Sequence, residues 1–159
     1  MKKIVSASVV ALFFLVGIMN AQTAHKGPPP KPLTLKQSLA VSPLVVVGEV
    51  IAVNPASLGR KYISEHDPNW QIATVKVVRP LKPYRPIRGI TEVYVVFAGS
   101  RDIAWFRSPK LTVGQKAIFI LTEWTGPPSP EGKELWSIQH TAPSTKSNIK
   151  KIERLLRAK

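Results

Sequence analysis

Within RPLKPYRPIRG, residues 79–89, the cations Arg79, Lys82, Arg85 and Arg88 recur every third residue. Pro80, Pro83 and Pro86 sit one step on, and Leu81, Tyr84 and Ile87 one further. A polyproline II helix has three residues per turn and rises about 3.1 Å per residue, so this triplet predicts a rod with charges about 9 Å apart along one edge. Such a rod could present its four cations to a polyanion while the Leu-Tyr-Ile edge grips the domain or a partner. Equally, Leu81 and Ile87 could fold the connection back onto the domain and leave the cations in water. Proline at every third position is expected to exclude a helix or a regular ladder. A second stretch, SRDIAWFRSPK at residues 100–110, sets Trp105 and Phe106 between Arg101 and Arg107. Aromatic faces interleaved with guanidinium groups can stack on bases or sugars; they can also simply cap one open end of a barrel.

Catalytic chemistry finds little footing. The histidines, His25, His66 and His140, lack metal-ligand spacing, and the only aspartates are Asp67 and Asp102. No H-E-x-x-H, G-x-S-x-G or phosphate-cradling glycine loop occurs. SEHD, residues 64–67, joins hydroxyl, acid and imidazole, but triad members are assembled by the fold rather than by adjacency, so it reads as a loop. With no cysteine, thiolate metal sites and a lipid-modified N-terminal cysteine are excluded. The expectation is a non-enzymatic protein with no cofactor and no metal.

The first residues, MKKIVSASVVALFFLVGIMNAQTAH, place two lysines before an apolar run that ends at Met19 and gives way to small and polar residues. This pattern predicts a signal peptide over residues 1–21, with cleavage after Ala21 or Ala24, and export to the periplasm or beyond. The run is shorter than the roughly 20 residues that comfortably cross a bilayer; a retained anchor is the alternative. Without Lys2 and Lys3 the 23 basic residues become 21 against 9 acidic ones, a net charge near +12. That excess speeds encounter with anionic partners such as an envelope polymer, although it equally suits solubility. No specific nucleic acid is indicated, no stable membrane span is expected after cleavage, and the chain is expected to be a monomer.

Residues 22–33 include HKGPPPKP, an extended entry segment. One domain is expected over residues 34–159. Thr34 is positioned to cap a short helix over residues 35–42, with Leu35 and Leu39 on one face and Pro43 closing it. Five strands are predicted: residues 44–53, with Gly48 marking a bend or bulge, then 72–78, 91–97, 116–123 and 134–139. Ala73, Val75 and Val77 should face inward from the second, and Val93, Val95 and Phe97 from the third. Trp124 and Trp136 read as core or rim. Residues 144–159 predict a helix capped by Ser144 or Ser147. Its stripe of Ile149, Ile152, Leu155 and Leu156 lies opposite Lys150, Arg154 and Arg157, suited to docking on the sheet or, alternatively, to an anionic membrane.

The succession SLAVSPLVVVGEVIAV, VVRPLKP, VYVVFAG and LTVGQKAIFILTE, spanning residues 38–123, resembles small exported bacterial OB-like barrel proteins related to netrin-like and tissue metalloproteinase inhibitor modules. The resemblance implies a mainly β fold, a small five-stranded antiparallel barrel flanked by a short N-terminal helix and a C-terminal helix. Those inhibitors ligate a protease zinc through an N-terminal cysteine, which this chain lacks, so that mechanism does not transfer. The resulting expectation is a binding module for an anionic or carbohydrate-like envelope ligand, or alternatively a structural or inhibitor-like protein-interaction module.

Overall fold

The two most apolar runs of the chain become strands covered on both faces. In β1 (Leu44–Pro55), Leu44, Val46 and Val50 point into the sheet interior while Val45 and Val47 point outward. In β4 (Lys116–Glu123), Ala117, Phe119 and Leu121 point inward and Ile118 and Ile120 outward. Strands buried on two sides read as continuous hydrophobic runs rather than as alternations. The computed structural model describes residues 33–58, 66–83 and 89–158.

Between these strands in sequence lie β2 (Trp70–Lys82) and β3 (Glu92–Ala98), and β5 (Leu135–Pro143) follows β4. The result is a mainly β, five-stranded mixed sheet. Its hydrogen-bonded order is β1-β2-β3-β5-β4, and β4 pairs in turn with β1, so the order closes on itself. Every neighbouring pair is antiparallel except β3 and β5. The wholly antiparallel expectation is therefore corrected, for a simple reason: five strands in a closed order cannot alternate direction all the way round.

The inward residues expected of β2 and β3 are inward. Ala73, Val75, Val93, Val95 and Phe97 are buried in one cluster with Trp136, and Val77 packs against it. Gly48 sits beside a register shift between β1 and β2; a Cβ there would lie 2.6 Å from Val75 Cγ1 and 2.8 Å from the Lys76 carbonyl oxygen. The bend predicted from this glycine thus comes with a close strand approach.

The polyproline rod is not what residues 79–82 form. They continue β2, with Arg79 opposite Val47, Pro80 opposite Val46 and Lys82 opposite Val45, so Leu81 is an extra residue at a register shift. Proline cannot donate to a ladder but is tolerated at a bulge. Leu81 packs with the outer cluster, while Tyr84, Arg85, Pro86, Ile87 and Arg88 lie outside the described residues.

Two helices cover the outer face of β1 and β4. In α1 (Leu35–Val41), Thr34 and Gln37 form a reciprocal capping box, as the cap placement predicted. In α2 (Lys146–Arg157) the cap is Thr145, whose hydroxyl accepts from the Asn148 N–H, rather than Ser144 or Ser147. Ile152 is 1% exposed among Leu39, Val45, Val47, Ile118 and Ile120, and Ile149, Leu155 and Leu156 pack around it. The apolar stripe is consumed by docking, leaving no lipid-facing ridge. Among the described residues no helix is long and apolar enough to cross a membrane.

Candidate functional site

At the end of the sheet where β2 begins, three of the four tryptophans meet. Trp70 is the first residue of β2, opposite Ala98, the last of β3. Its ring centroid lies 5.4 Å from that of Trp105 and 5.2 Å from that of Trp124, at interplanar angles of 66° and 76°. Such edge-to-face packing is the preferred geometry for aromatic rings with opposed quadrupoles. A cavity of about 450 Å³ opens beside them, walled also by Leu58, His66, Pro68, Gly126 and Pro127.

Each indole is fixed by its own segment. Before Trp70, the Asp67 carboxylate accepts from the Asn69 N–H at 2.8 Å, and Asn69 adopts φ +47°. The carbonyls of Pro68 and Asn69 then accept from Ser100 and Gly99, both at 3.0 Å, tying the strap before β2 to the one after β3. A Cβ on Gly99 would lie 2.8 Å from the Asn69 oxygen, so only glycine permits this approach. On the other side, Trp124 Nε1 donates to the Pro127 carbonyl at 2.9 Å, and a Cβ on Gly126 would fall 2.3 Å from the Trp124 ring. The 124–127 turn is folded directly onto the indole.

Trp105 is held by a longer chain of bonds. Its Nε1 donates to the His66 carbonyl at 2.7 Å, and His66 Nδ1 pairs with Asp102 Oδ1 at 2.8 Å. The same Asp102 oxygen accepts from the Ala104 N–H at 2.8 Å. Lys110 Nζ donates to the carbonyls of Ala98 and Trp105, clamping the loop onto the end of β3. Burial and the neighbouring Arg101 charge push the Lys110 ammonium below its ordinary range. The Ala104 N–H, and to a lesser degree His66, hold the Asp102 carboxyl below its usual 3.8 against the opposing effect of burial. A group depressed on folding contributes stability that is complete above its ordinary value and lost as pH falls through the folded one. On the acid side of 3.8 the tryptophan emission of the parent should therefore change more steeply with falling pH than that of Asp102→Asn. Fluorescence against pH for both proteins checks this.

A second, smaller pocket of about 310 Å³ adjoins the cleft across Trp124 and Gly126, and Glu123 and Glu134 line it. Burial, and then the Glu123 charge, push the Glu134 carboxyl up. His66 with Asp102 is a carboxylate-oriented imidazole, half of a proton relay. Ser64 and Glu65 of SEHD lie outside the described residues. Among the described residues no three His, Asp or Glu side chains come together as a metal site.

The residues singled out from sequence are dispersed. Trp105 belongs to the cleft, but Phe106 is 58% exposed with the Arg107 guanidinium 5.3 Å from its ring centroid, and Arg101 is exposed. Arg79 pairs with Glu153 of α2 at 3.0 Å. Lys82 Nζ donates to the carbonyls of Leu39 at 3.1 Å and Ser42 at 2.5 Å, where α1 ends. Lys82 is part-buried against the end of α1 and Arg79 sits in a surface pair with α2, both at the opposite end of β2 from Trp70. Replacing Lys82 by Gln should accordingly lower unfolding stability by about 1–3 kcal/mol, the range for charge-assisted hydrogen bonds; a solvated lysine would cost nothing, and chemical denaturation separates the two. Sequence reasoning missed Trp70, Trp124, His66 and the two prolines. The available signal was tryptophan at a strand end beside turn residues: DPN before Trp70, and TGPP after Trp124. No family model matches this sequence, and comparison with curated proteins finds no match.

Proposed function

We propose that the chain is an exported, non-enzymatic binding module built on an OB-like barrel, and that the tryptophan cleft is its ligand site. The observation that carries this reading is Trp70 wedged edge-on against both Trp105 and Trp124 beside an open cavity. The closed strand order supports the OB-like comparison. So does the cleft's position, because OB barrels bind ligands with the β2–β3 face and the β1–β2 and β4–β5 loops. Here those loops supply Leu58, His66 and Pro68 on one side and Gly126 and Pro127 on the other. The walls are indole, proline, leucine and glycine with one imidazole. That chemistry suits a ligand that presents apolar faces to the indoles.

A second reading has its own support. Lys146, Lys150, Lys151, Arg154 and Arg157 are all exposed along α2, a cationic face suited to an anionic envelope polymer. Capture from envelope extract by the protein, by Trp70→Ala and by a variant with all five cations changed to Gln tests both. The cleft reading expects capture that resists salt and is lost with Trp70. Capture that is released by salt and lost only with the five cations would assign function to α2 instead, since polyanion binding weakens steeply with ionic strength.

A further inference from the structure

We propose that the loop over residues 101–107 is a membrane-docking tip: Ile103 and Phe106 enter the interface of an anionic lipid bilayer, and Arg101 and Arg107 meet its headgroups. The proposal concerns a surface outside the tryptophan cleft and stands or falls independently of it. Ile103 is 79% exposed and Phe106 58%, and no large apolar side chain among the described residues is more exposed than Ile103. Single exposed apolar residues are ordinary, whereas apolar groups gathered on one tip and rimmed by polar ones mark an interaction surface. The backbone that presents them is tied down. The Trp105 N–H donates to the Asp102 carbonyl at 2.8 Å and the Ser108 N–H to the Trp105 carbonyl at 2.9 Å, making two successive turns. Trp105, where the turns meet, packs on Trp70, donates to the His66 carbonyl and has its own carbonyl held by Lys110. One aromatic is thus turned inward as an anchor while Ile103 and Phe106 are held out.

Charge and shape select the partner. Arg101 and Arg107 are exposed, and among the described residues neither is in an ion pair. The Arg107 guanidinium lies 5.3 Å from the Phe106 ring centroid, so cation and apolar side chain are presented together. The loop's one carboxylate, Asp102, is turned back onto His66 and the Ala104 N–H. The tip therefore offers aliphatic and aromatic carbon flanked by two guanidinium groups, a composition that settles where acyl chains meet anionic headgroups. Arginine lays its stem along apolar surroundings there and keeps its head among the phosphates. A stable protein interface takes about 800 Å² from each partner; two side chains projecting from successive turns make a tip rather than a face, and a bilayer receives a tip without a matching surface.

The chain has no cysteine, so one introduced thiol carries a polarity-sensitive fluorophore at a single place. The test labels the full chain at Ile103→Cys or, as a control, at Val41→Cys, a 58% exposed position at the end of α1. Vesicles of phosphatidylcholine alone, or of phosphatidylcholine and phosphatidylglycerol in equal parts, are then added. With the mixed vesicles the label at 103 should shift to the blue, at an affinity about twentyfold above that for the neutral ones, about fivefold for each of two cations near the surface; the label at 41 should keep its aqueous emission. In the chain labelled at 103, Phe106→Ser should lower the affinity about tenfold, and Arg101→Gln/Arg107→Gln should remove most of the preference for the mixed vesicles. All three replaced side chains are exposed, so thermal unfolding of the variants should match the parent. A label at 103 that stays in water with both vesicles would overturn the proposal, as would equal shifts at 103 and 41 or an unchanged affinity in Phe106→Ser. A shift at 41 alone would assign the bilayer to the helix-covered side of the molecule instead, and equal affinity for the two vesicles would overturn the role of the arginines.

Discussion

Changing Trp70 to Ala should weaken ligand binding at the cleft by about 2 kcal/mol or more, roughly thirtyfold or greater in affinity. Of the three cleft indoles, Trp70 is the one whose ring packs against both others. Its removal takes away a contact face and leaves Trp105 and Trp124 without their shared neighbour, so the effect should exceed that of either flanking replacement. Trp70→Phe keeps an aromatic face and removes the N–H. An intermediate loss is expected from it, and an affinity equal to that of the parent would show that no ligand carbonyl uses the indole N–H. Calorimetric titration gives the affinities, and thermal unfolding of both variants confirms that the sheet, whose core cluster does not contain Trp70, remains folded.

The largest effect on stability is expected at the opposite side of the molecule. Ile152→Asp should lower unfolding stability by about 4 kcal/mol or more, since it removes a fully buried aliphatic side chain and places a carboxylate in an apolar contact. Ile152 is 1% exposed between α1 and the outer faces of β1 and β4. Denaturant unfolding with circular dichroism measures the change. An unchanged midpoint would mean that α2 is not docked, and would return its apolar stripe to the membrane-surface reading.

The core was legible from sequence because burial there follows period. Alternation in β2 and β3 identified Ala73, Val75, Val93, Val95 and Phe97 as inward, and the continuous runs in β1 and β4 signalled strands before anything was known of their two-sided burial. Capping chemistry located α1, because Thr34 and Gln37 act within one turn. What failed depended on partners distant in sequence. The three-residue repeat has the right period for a polyproline rod, but β1 offers Val45, Val46 and Val47 as ladder partners, and a register shift at Leu81 absorbs the proline. Local conformational preference yielded to a tertiary pairing.

The cleft illustrates the same limit. Trp70, Trp105 and Trp124 are 35 and 19 residues apart in the chain, at the start of β2, between β3 and β4 and just after β4, and nothing in their local patterns says that they meet. Trp105 was visible as a loop aromatic, yet its apparent partner Phe106 faces solvent while its real partners are Trp70 and the His66 carbonyl. The regular cations at 79 and 82 show the same dependence on distant partners: they bond to Glu153 and to the carbonyls where α1 ends, contacts that their own spacing does not announce.

The most direct test of the cleft as the ligand site is to follow the four indole N–H resonances by ¹H–¹⁵N NMR while adding cell-envelope extract. Trp70, Trp105 and Trp124 should shift together and saturate at one concentration, while Trp136, 2% exposed in the core, stays in place. Perturbation confined to the amides of α2, with all three cleft indoles unmoved at saturation, would contradict a ligand site at the cleft.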